Sequence, residues 1–267
     1  MSQAAERSVY SEPAMDLVRY EQPLNERMRT FLRLEFLYQQ ALYHAESPSP
    51  WATRAAVTSI LEILSILTRG DLRTDVMKEL ERHSVILGEY QSRPGVDTGR
   101  LQMLLGNILS LREEIEMSGA QQINRIRECE FLAAIKHRSA IPGGTCEFDL
   151  PDYSHWLNQP FDVRSADFNN WLGILRPLCD GVAELLWLTR ESGQNVSKTA
   201  GSGLFQHVLE RDSACQLLRV ALPVGAKVYP EISGSRHRFT IRFLEWSDVD
   251  SRPAPTPEDV EFLLSLC

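Results

Sequence analysis

A chain of 267 residues with 43% hydrophobic and 24% charged residues carries enough apolar surface for one large or two modest cores. Its formal net charge of −8 opposes nucleic acid and anionic membranes as default partners. No run approaches the roughly 18 apolar residues of a membrane span, which argues against direct membrane insertion, and Met1 to Met15 lacks the apolar stretch of a signal peptide.

In chain order, residues 1–17 read as a polar, flexible tail. Leu17-Val18-Arg19-Tyr20 alternates as a short edge strand would. Pro23 suits a first helical turn, and Leu24, Met28, Phe31 and Leu32 recur at helical spacing up to about His44. Ser47-Pro48-Ser49-Pro50 breaks that helix. A second helix carries Val57, Ile60, Leu61 and Leu64, with Gly70 at its end. Asp71 caps a third helix running to Tyr90, and Asp97 opens a fourth with Leu101, Leu104, Ile108 and Ile115. A fifth follows through Ile123, Ile126, Phe131 and Ile135, so residues 18–140 form an α-helical bundle domain.

The texture changes at Ile141-Pro142-Gly143-Gly144. Phe148-Asp149-Leu150-Pro151 reads as extended, and Ser165 as the cap of a long helix over about 165–191, which Pro177 kinks or divides. Beyond Glu191 the chain is β-like. Phe239-Thr240-Ile241-Arg242-Phe243 alternates cleanly, as in an antiparallel sheet with one wet face. Residues 141–246 are therefore a smaller, β-containing domain. Residues 247–267 are a second tail, with a proline-rich linker and a short helix over Glu258–Leu266. The predicted class is α+β, an N-terminal helical bundle with a smaller antiparallel β domain.

The sequence holds no P-loop, no G-x-S-x-G and no H-E-x-x-H. Its six histidines are scattered, so no acid, base and nucleophile converge, and the reading is a non-enzymatic binding protein without cofactor or metal. Cys129, Cys146, Cys179, Cys215 and Cys267 are odd in number and widely spaced, as in reduced thiols of a cytoplasmic protein.

The basic residues stand out against the acidic total. Arg236, His237, Arg238 and Arg242 crowd one β-ribbon, with Arg219 and Lys227 upstream. Two readings are open: a solvated strand face that resists edge pairing, or a groove for an acidic, partly apolar peptide. A nucleic-acid or regulatory binding module using the same ribbon is the alternative, which the net charge disfavours.

Several strings then accumulate in order: Glu21-Gln-Pro-Leu-Asn-Glu-Arg-Met-Arg-Thr-Phe-Leu-Arg-Leu-Glu-Phe-Leu37, Arg69-Gly-Asp-Leu-Arg-Thr74, Lys78-Glu-Leu-Glu-Arg82, Ile141-Pro-Gly-Gly144, Cys146-Glu-Phe-Asp-Leu-Pro151, Tyr229-Pro-Glu-Ile-Ser-Gly234 and Arg238-Phe-Thr-Ile-Arg-Phe243. Together they resemble the ZapD family of bacterial cell-division proteins over about residues 18–246. The resemblance implies a cytoplasmic homodimer at the mid-cell division ring. Such a dimer binds the C-terminal tail of the tubulin-like protein FtsZ and cross-links its filaments. It also implies tail-binding roles for Arg29, Arg33, Arg69, Arg238 and Arg242; the basic ribbon adds Arg219 and Arg236 as candidates for the same tail, and His155 is a further one. Glu130 and Ser154 stand where relatives can carry arginine and histidine, and His155 is the neighbour that would substitute.

Overall fold

The computed structural model describes residues 16–68, 70–210, 213–235 and 237–267. The predicted α+β class is what it contains, and the chain divides into two compact units: Arg29–Leu188, and Met1–Met28 with Thr189–Cys267.

The first unit is helical. Its elements are α1 (Glu26–Ala45, entering the unit at Arg29), α2 (Pro50–Leu67), α3 (Leu72–Tyr90), α4 (Thr98–Arg127), α5 (Glu130–Arg138), α6 (Pro151–Leu157) and most of α7 (Phe161–Ser192). Side-chain caps fix several starts. Asn25 accepts from the Met28 amide at 2.8 Å, Ser49 caps α2 ahead of Pro50, and Asp71 and Asp97 accept from Thr74 and Arg100. Phe31, Leu34 and Ala41 of α1 are buried at helical spacing, and Tyr38 of the same helix donates to Asp180 of α7 at 2.9 Å. Arg164 is buried at the start of α7, where it donates to Thr53 and to the carbonyls of Pro48 and Gln159.

Three expectations for this unit change. α4 continues to Arg127, so Ile123 and Ile126 belong to it and only Phe131 to Ile135 lie on α5. Phe148 and Asp149 lie in a turn, Leu150 is the cap residue, and Pro151 begins α6 because its fixed φ suits a first helical residue. α7 starts at Phe161 and runs on past Pro177 as one helix. Buried Leu172, Leu175 and Leu178 hold it on both sides of the missing N–H.

The expected boundary at 140/141 also fails. Phe131 of α5 stacks on Trp171 of α7 at 6.0 Å and meets Tyr153 and Trp156 of α6 edge-on, so residues to Leu188 close the helical core.

The second unit is a sandwich of two antiparallel sheets. One has the order β1 (Leu17–Pro23), β4 (Leu217–Pro223), β8 (Val260–Leu266), β2 (Val196–Ala200). The other runs β3 (Leu204–Val208), β6 (Arg238–Glu245), β5 (Val228–Gly234), with the short β7 (Ala254–Pro255) also on β6. Leu218, Val220 and Leu222 of β4, Phe262 and Leu264 of β8, and Phe239, Ile241 and Phe243 of β6 share one core, and Phe243 and Phe262 meet at 5.1 Å. Ser202 and Gly203, with φ of 48° and 70°, turn the chain from β2 into β3. A Cβ on Gly203 would lie 2.6 Å from the Thr256 carbonyl.

The expected tail over 247–267 and its short helix are corrected here. Val260–Leu266 is a strand hydrogen-bonded between β4 and β2, because Val260, Phe262 and Leu264 alternate into the core. The edge strand expected at Leu17–Tyr20 is present and reaches Pro23. Of the expected tail 1–17, residues 1–15 lie outside the described residues.

Candidate functional site

β6 sets the geometry. Phe239, Ile241 and Phe243 are at most 2% exposed, so Arg238, Thr240 and Arg242 must leave by the opposite face. Residues paired across antiparallel strands share a face, so the neighbours extend it. On β3, Leu204 stands opposite Arg242, Gln206 opposite Thr240 and Val208 opposite Arg238. On β5, Glu231 stands opposite Arg242 and Ser233 opposite Thr240. Leu204 is 44% exposed and Val208 75%.

The result is a face with two exposed guanidinium groups beside two exposed aliphatic side chains. Among the described residues no carboxylate forms an ion pair with Arg238 or Arg242, and none joins Glu231 to Arg242. Each guanidinium keeps its planar fork of donors for an incoming carboxylate, and Leu204 and Val208 offer contact to an apolar side chain.

Arg219 is placed elsewhere. Its strand neighbours Leu218 and Val220 point into the core shared with β6, so Arg219 leaves by the far side of the other sheet. There its Nε lies 3.1 Å from Oε1 of Glu21, and its Nη1 donates to the Arg190 carbonyl. Arg190 donates to both oxygens of the same carboxylate at 2.8 Å. The structure does not bring Arg219 to Arg238 and Arg242.

Arg29, Arg33 and His155 belong to the helical unit. Arg29 and Arg33 share one face of α1, the first half-buried and the second exposed. His155 is exposed on α6, where its Nε2 lies 3.0 Å from Nε2 of Gln159. Arg69 and Arg236 lie outside the described residues.

Sequence reasoning missed Leu204, Val208 and Glu231, because Leu204-Phe-Gln-His-Val208 does not alternate cleanly in polarity and its register appears only once it pairs with β6. It also missed Phe36, 65% exposed three residues after Arg33. That spacing could have flagged it.

Burial pushes the thiols of Cys179, Cys215 and Cys267 up, away from the nucleophilic thiolate. Burial likewise raises the Tyr153 hydroxyl to about 12. Among the described residues no group of three or more His, Cys, Asp or Glu side chains is gathered as metal ligands would be, and no single helix is long and apolar enough to cross a membrane.

The ZapD family model, described as a cell division protein, matches residues 32–242. A cell division protein ZapD of Methylococcus capsulatus is 40% identical over 248 residues, 93% of this chain and 97% of that protein. Another, from Janthinobacterium sp. (strain Marseille), is 37% identical over 251 residues, 94% of this chain and 99% of that protein.

Proposed function

The chain belongs to the ZapD family of cell division proteins, and on that premise we propose that it binds the C-terminal tail of FtsZ and, as a homodimer, cross-links FtsZ filaments. It does so without catalysis, in the cytoplasm, and stabilises the division ring at mid-cell. The observation that supports this reading is the outer face of the β3–β6–β5 sheet, where Arg238 and Arg242 lack carboxylate partners among the described residues and adjoin exposed Leu204 and Val208. A short, acidic, partly apolar peptide matches that face in charge and in apolar contact. Arg29 and Arg33 on α1, together with Arg69, Arg236 and His155, are further contributors in this reading.

The energetics suit a filament ligand. One exposed guanidinium–carboxylate pair contributes roughly 0.2–1 kcal/mol, so a single tail binds weakly. A dimer carries two sites and a polymer displays many tails, so the second contact forms at high effective concentration. The test is co-sedimentation with FtsZ polymers, with and without the FtsZ tail. The protein is expected to pellet with and bundle intact polymers and to remain in the supernatant with tailless ones. Bundling of tailless polymers would refute docking on the tail.

A further inference from the structure

α2, α5 and the end of α4 surround an open cavity of about 520 Å³, a size that takes a small organic ligand. α2 contributes Leu61, Leu64 and Thr68, three and four residues apart and so on one face of the helix. α5 contributes Leu132, Ala133, Lys136 and His137 by the same spacing. Ile126 and Arg127 complete the lining from the last turn of α4.

The floor is aliphatic and the rim is basic. Leu61, Leu64, Ile126 and Leu132 are at most 6% exposed, whereas Arg127, Lys136 and His137 are exposed. Basic side chains in a last helical turn complement the carbonyl end of the helix dipole, which accounts for their position on α4 and α5. Their neighbour Arg138 goes further and lies 3.5 Å from Asp149. Arg127 and Lys136 do not: among the described residues neither forms an ion pair, and no Asp or Glu lines the cavity. Arg127 donates to the neutral side chain of Asn124 at 3.3 Å. A neighbouring cavity of about 280 Å³ shares Arg127 but is bordered by Asp71, so its charge is mixed and selects no anion.

We propose that the larger cavity is a binding site for a single-chain aliphatic anion, of which a long-chain carboxylate is the simplest. The chain lies on the leucine and isoleucine floor, and the head group is held at the Arg127, Lys136 and His137 rim. Charge selects the head, since the rim is basic without an internal acid. Polarity selects the body. The four floor side chains carry no group that could pair the amides of an extended peptide or the hydroxyls of a sugar, and unpaired polar groups there would oppose binding. Thr68 is the one uncharged polar side chain in the lining besides the histidine, and its hydroxyl already donates to the Ser65 carbonyl at 2.7 Å. A run of methylenes brings no polar group to satisfy. This site lies in the helical unit and does not rest on the tail-binding reading of Arg238 and Arg242.

Such an anion exists free in water or within a bilayer, and the experiment separates the two. The full chain is titrated in a calorimeter with sodium dodecanoate below its micelle concentration. One dodecanoate per chain is expected, with decanoate bound about 15-fold more weakly because two fewer methylenes leave water. Dodecyltrimethylammonium, the same chain with a cationic head, is expected not to bind. The variant R127E/K136E should weaken dodecanoate binding about 30-fold. Ala133→Trp keeps both cations and fills the space, and should abolish binding. All three substitutions fall at exposed positions, so circular dichroism is expected to show the wild-type fold. R238E/R242E should bind dodecanoate as the wild type does. No binding of dodecanoate, equal binding of the cationic amphiphile, or loss of binding in R238E/R242E with none in R127E/K136E would overturn the assignment. Binding to phosphatidylcholine vesicles containing dodecanoate, but not to the free anion, would overturn it in favour of a membrane surface.

Discussion

On one outer face of the β sandwich, Glu21 accepts from Arg190 at 2.8 Å and lies 3.1 Å from Arg219, so both cations are spent inside the fold. On the other outer face, Arg238 and Arg242 stand exposed without an ion pair to any described residue. The local sequences are near twins: Leu218-Arg219-Val220 and Ile241-Arg242-Phe243 both place an arginine between two core residues. Each also faces a glutamate in register, Glu21 for Arg219 and Glu231 for Arg242, and what separates them is whether that acid closes on the arginine. Arg219 pairs in register with Glu21 of β1, whereas Arg242 stands between Leu204 and Glu231 and bonds to neither. An arginine opposite a glutamate is thus structural where the acid is also gathered by a second arginine, as Glu21 is by Arg190, and available where it is not.

Both faces lean on one core, and the largest effect comes from breaking it. Phe243→Ala, at a side chain with no exposure that meets Phe262 of the facing sheet, is expected to cost about 3–5 kcal/mol of stability in urea denaturation. A loss under about 1 kcal/mol would mean that the two sheets do not share this core. Next comes reversal of the open face. The double variant R238E/R242E should lose bundling of FtsZ polymers, through about 3 kcal/mol of lost tail affinity, while its melting temperature stays at the wild-type value. If the melt dropped by many degrees instead, those arginines would be structural like Arg219.

The closed face should respond the opposite way. Glu21→Ala leaves Arg190 and Arg219 without their shared carboxylate in a site about four-fifths buried. The expected cost is about 2 kcal/mol of stability, with no change in tail binding. Weakened tail binding at unchanged stability would reassign Arg219 to the site. The smallest effect belongs to Glu231, the acid facing Arg242. Glu231→Gln should tighten tail binding about two- to threefold, or about 0.5 kcal/mol, in a peptide titration, and weaker binding would place Glu231 among the ligand's own contacts.

Much of the fold was legible because it obeys local rules. Asp71 and Asp97 precede amphipathic runs and cap them, and Phe239, Ile241 and Phe243 alternate with their polar neighbours. What was not legible depends on distant partners. Val260–Leu266 is a short apolar run that suits helix or strand by period, and only insertion between β4 and β2 decides for strand. The helices beyond residue 140 look like a second domain until Phe131 and Trp171 are seen to stack. In the site, the outward pair Arg238 and Arg242 could be read from alternation, but Leu204 and Val208 could not, since their strand gains its register from β6 alone.

As proposed, the Arg238/Arg242 face receives the acidic FtsZ tail. The decisive measurement is fluorescence anisotropy of a labelled FtsZ tail peptide, titrated with wild-type protein and with R238E/R242E at low and high salt. Wild-type affinity is expected to fall as salt rises, because exposed ion pairs are screened over about 10 Å at 0.1 M. The variant is expected to bind roughly 100-fold more weakly at low salt, with an unchanged circular dichroism spectrum. Equal affinity of the two proteins for the peptide would mean that the tail docks elsewhere.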